Sequence, residues 1–72
     1  MDEYPIIVFW SSEDDAFIAD VPDLGAFSAH GATAEEAVQE ARRAVASLRT
    51  AARERGLTLP EPTLRPTLAK AS

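Results

Sequence analysis

The sequence predicts an α+β fold: a small antiparallel β-β-β sheet, then one long helix lying on one face, with room for a further short strand. Three observations carry this. Tyr4–Trp10 (YPIIVFW) is an unbroken run of aromatic and β-branched residues, too short for a buried helix and rich in strand formers. Thr33–Gly56 repeats small apolar residues at three- and four-residue spacing between two capping signals, the mark of an amphipathic helix. Between the two stretches, polar and Gly/Pro punctuation cuts the chain into segments of strand length.

Tyr4–Trp10 reads as a strand buried on both faces, with Pro5 placing its first residues at an edge or outside the ladder. Ser11–Asp15 (SSEDD) is a polar loop of hairpin length, and Ala16–Val21 a second strand. Pro22-Asp23-Leu24-Gly25 supplies turn chemistry, and Ala26–His30 is a short third strand leading through Gly31 into the helix. Thr33 and Glu36 make a T-x-x-E capping box. Ala37, Val38, Ala41, Ala44, Val45, Leu48 and Ala52 form the apolar stripe. Acids at the start (Glu35, Glu36, Glu40) and arginines at the end (Arg49, Arg53, Arg55) suit the helix dipole, and Gly56 suits a left-handed stop. Leu57–Pro62 is an extended arm whose Leu57 and Leu59 can fold back on the helix. Residues 1–62 form the domain and 63–72 a tail with room for a short extra strand.

Seventy-two residues make one domain. A chain this short buries only about 60% of its unfolded surface, and without cysteine it has no disulfide to compensate. Association with other chains is therefore expected. No apolar run is long enough to span a bilayer, and the acidic start (Asp2, Glu3) is unlike a signal peptide. The expectation is a soluble cytoplasmic protein with no membrane partner.

The net charge of −5 is unevenly spread. Residues 1–40 hold ten acids and no Lys or Arg, whereas residues 41–72 hold all seven bases against Glu54 and Glu61. Two readings stay open: a solvated surface matched to the helix dipole, or an acidic face meeting a basic partner. Direct nucleic-acid binding is disfavoured because phosphate contacts need clustered cations.

Pairing the strands through a Ser11–Asp15 loop sets Trp10 opposite Ala16, Phe9 opposite Phe17 and Val8 opposite Ile18. Val21 opposite Phe27 then sets Asp20 against Ser28 and Ile18 against His30. The helix would cover Ile7, Phe9, Phe17, Ala19, Val21, Phe27 and Ala29. The bare face would carry Tyr4, Ile6, Val8, Trp10, Ile18 and His30, together with Asp20 and Ser28, and a one-residue slip would exchange the faces. An apolar face of that kind marks an interface, with cover by the C-terminal arm as the plainer alternative.

His30 and Asp20 lie diagonally on that face, within reach of an acid–base pair, although structural polar pairs look the same. No nucleophile with an evident base accompanies them. A single histidine without cysteine is far from a metal-ligand set, and Gly25 and Gly31 do not make a phosphate loop. No cofactor, metal or catalytic residue is therefore expected.

Val21-Pro22-Asp23-Leu24, Ala29-His30-Gly31-x-Thr33-x-Glu35-Glu36-Ala37 and Gly56-Leu57-x-Leu59-Pro60-Glu61-Pro62 together resemble the HicB antitoxin family over roughly residues 4–62. The resemblance implies a partial ribonuclease-H-like fold and a non-enzymatic protein that neutralises HicA, a small basic RNA-cleaving toxin. Glu13, Asp14 and Asp15 would steer that partner, and the apolar face would hold a homo-oligomer, dimer or tetramer. The alternative is a homo-oligomeric scaffold of the same fold without a toxin. The chain departs from the family pattern at Gly25-Ala26 and at Ala32, where Pro-Gly and an acid are common. It also stops before a DNA-binding domain, so operator binding is not implied. A nuclease metal site is not implied either, since Tyr4–Trp10 contains no carboxylate.

Overall fold

The computed structural model describes residues 3–62. Strands β1 (Ile7–Ser11), β2 (Ala16–Asp20) and β3 (Ser28–Gly31) form one antiparallel sheet in the order β1-β2-β3, and α1 (Ala34–Arg55) follows. The β-β-β-α order is the one the sequence predicts. The suggested strand after residue 62 lies outside the described residues.

The helix forms where its caps dictate. Thr33 is extended (φ −127°, ψ 163°), and its hydroxyl accepts from the Glu36 amide at 3.1 Å. Glu36 reaches one residue further back than a capping box requires and accepts from the Ala32 amide at 3.0 Å. At the other end Gly56 is left-handed (φ 71°). The Leu57 amide donates to the Ala52 carbonyl and the Gly56 amide to that of Arg53, a Schellman closure.

α1 packs chiefly on β3 and β2 and least on β1. Ala37 and Ala41 are fully buried in a core with Tyr4, Ala19 and Val21, and Ile6, Val8, Phe17, Leu24, Phe27, Ala29 and Val45 pack around it. Small side chains let the helix axis approach the sheet. At Gly31 the approach leaves no room for a side chain: a Cβ would lie 2.4 Å from the Ala37 amide nitrogen. The second turn is a 3-10 turn at Pro22–Leu24, closed by Leu24 and Gly25 amides donating to the Val21 and Pro22 carbonyls.

The β2–β3 register is as predicted, with Asp20 opposite Ser28 and Ile18 opposite His30. The β1–β2 register is not. Trp10 pairs with Phe17, Phe9 with Ile18 and Val8 with Ala19, one residue from the predicted pairing. The cause is local. Ser11 belongs to the strand and pairs with Ala16, leaving a four-residue turn, Ser12–Asp15. The Ser11 hydroxyl donates to an Asp14 carboxylate oxygen (3.1 Å) and accepts from the Asp14 amide (3.2 Å), while Asp15 takes a positive φ of 53°. Asp tolerates that conformation better than most residues, so the shorter turn closes.

Candidate interaction surface

Shifting β1 by one residue exchanges its two faces. Tyr4, Ile6, Val8 and Trp10, expected on the bare face, instead lie on the helix side. Tyr4 is buried in the core, Ile6 and Val8 pack against it, and Trp10 meets the Phe17 ring edge-on at 5.1 Å. Ile7 and Phe9, expected under the helix, lie on the bare face with Ile18, Asp20, Ser28 and His30. Ile18 and His30 are on the face assigned to them, with Ile18 buried between its Phe9 and His30 neighbours and His30 exposed.

β1 is not buried on both sides as predicted. Ile7 is 54%, Phe9 47% and Trp10 50% exposed. Ile7 and Phe9 lie on the bare face and Trp10 on the helix side, beyond the part of the sheet that α1 covers. The exposed apolar surface thus follows an edge strand rather than filling a face. No charge, proline or bulge guards Ile7–Ser11, although natural edge strands are usually blunted by such features.

Beside the start of β1 runs a groove of about 240 Å³ between sheet and helix, with Tyr4, Ile6, Val45 and Ala46 along it and Glu3, Arg42 and Arg49 at its sides. The Arg49 guanidinium lies 5.2 Å from the centre of the Tyr4 ring, a cation–π contact. The Tyr4 hydroxyl donates to the Pro60 carbonyl, tying the arm to the sheet. Leu59 is half-buried by this return, but Leu57 remains 62% exposed. The arm as far as Pro62 lies by Tyr4, Ala52 and Arg53, so this part of it does not cover Ile7 and Phe9.

Glu13, Asp14 and Asp15 are all exposed at the turn beyond β1. An ion pair joins Arg43 to Glu40 at 3.2 Å, within the helix. Asp20 and His30 share the bare face in the diagonal arrangement expected, yet no hydrogen bond joins them. Among the described residues no group of three or more His, Asp or Glu is placed to hold a metal ion, and no helix is long and apolar enough to cross a membrane.

Comparison with protein-family models, with curated proteins and with solved structures returns no match for this chain.

Proposed function

We propose that the chain is a non-enzymatic, cytoplasmic protein-binding module of HicB antitoxin type, which neutralises a small basic RNA-cleaving toxin by occluding its RNA-binding surface. The observation that carries this reading is the acidic turn. Glu13, Asp14 and Asp15 project from a part of the chain, residues 1–40, that contains no Lys or Arg. Three exposed carboxylates on a short braced turn concentrate negative charge that would steer a cationic surface and compete for it. The motifs around Pro22, Gly31, Thr33 and Pro60, and the reduced ribonuclease-H-like ancestry they suggest, belong to the same proposal.

The test is co-expression with small basic ribonucleases encoded beside the gene, followed by measurement of RNA cleavage. Wild-type chain should suppress cleavage, and a Glu13→Lys/Asp14→Lys/Asp15→Lys variant should lose at least tenfold in potency. Equal potency of the two chains would refute the acidic-turn mechanism. The exposed apolar residues of β1 favour a second reading, a self-associating scaffold with no toxin partner. Its mark is an oligomer that inhibits none of the neighbouring ribonucleases.

A further inference from the structure

Exposure of Ile7, Phe9 and Trp10 is divided between the two faces of one edge strand, so a partner that covers only the bare face leaves Trp10 wet. A strand added to the β1 edge instead covers side chains on both faces and also satisfies the unpaired amides and carbonyls of the edge.

We propose that the occupant of this edge is β1 of a second copy, paired antiparallel about a two-fold axis through Val8, so that two three-stranded sheets become one of six strands. Identical strands pair antiparallel with perfect symmetry, as an isologous contact requires. Centring on Val8 sets Ile7 against Phe9 of the second copy on the bare face, and Ile6 against its Trp10 on the helix side. Every large apolar side chain of the strand then faces another, and Pro5, which has no amide proton, falls where the ladder ends.

Charge also favours this arrangement. Tyr4–Ser12 carries no ionisable acid or base apart from the phenol, so two copies meet without like-charge repulsion at the seam.

Sedimentation equilibrium on the full chain, alone, tests this. Wild type should show twice the chain mass, and Phe9→Lys and Trp10→Lys should each weaken association at least tenfold while circular dichroism stays unchanged. Trp10→Lys separates the edge from the face, because Trp10 lies on the helix side. A dimer that persists undiminished in Trp10→Lys, or a wild type that is monomeric at millimolar concentration, would overturn the proposal. Wild-type Trp10 fluorescence, followed on dilution, guards against a variant that fails to fold. A red shift as the mass halves is expected, and an emission maximum that stays fixed through dissociation would contradict edge pairing. Toxin suppression is read in a separate assay and does not enter this result.

Discussion

Gly31 shows how one missing side chain sets the geometry of the molecule. Its absent Cβ leaves space for the Ala37 amide and the Glu36 backbone at the first turn of α1, and so fixes where the helix meets β3. Gly31→Ala must push backbone rather than a flexible side chain, and overpacking of this kind costs about 1–3 kcal/mol. Urea unfolding should place this variant toward the upper end of that range. At Thr33 the stake is the hydrogen bond to the Glu36 amide. Thr33→Ala is expected to lower stability by about 1 kcal/mol, as loss of an N-cap usually does. Gly56, with φ of 71°, should likewise resist replacement by a β-branched residue.

At the scale of elements, the helix was legible almost to the residue because its signals are local. Caps at Thr33 and Gly56 and a small-residue stripe each act within a few positions, and the stripe is buried or half-buried throughout. The stripe also sets the spacing between layers. Ala41→Leu, at a fully buried position in the core cluster, should destabilise by about 1–3 kcal/mol, because the added carbons must displace packed neighbours. The strands were legible as elements, but β1 was placed one residue out of register. Nothing in SSEDD states whether Ser11 closes the strand or opens the loop. That depends on whether Asp15 accepts a positive φ and whether Ser11 can bond Asp14, which are properties of the closed turn. Exposure of the acidic turn residues Glu13, Asp14 and Asp15 is legible because charge needs no register. Of the apolar residues expected on the bare face, only Ile18 keeps its face, because a single slip moves every side chain of a strand to the other face.

For the whole molecule, one observation links stability and association. The core is built largely of alanines with Val21 as its largest fully buried side chain, so burial within one copy stabilises it only modestly. Folding should therefore be coupled to assembly, and the melting temperature should rise with protein concentration, as mass action requires when only the folded chain associates. Scanning calorimetry over a hundredfold concentration range checks this, and a concentration-independent midpoint would speak against coupling. The proposed capture of a basic partner by the Glu13–Asp15 turn would be electrostatic, and should weaken steeply as salt shortens the screening length to below about 8 Å.

Docking through β1 is the centre of the account, and amide hydrogen exchange, followed residue by residue at high and low protein concentration, addresses it most directly. The outward-facing amides of Ile7–Ser11 should exchange slowly in the concentrated sample and rapidly after dilution, while those of the opposite edge, Ser28–Gly31, stay unchanged. Exchange along β1 that is fast at every concentration would contradict it.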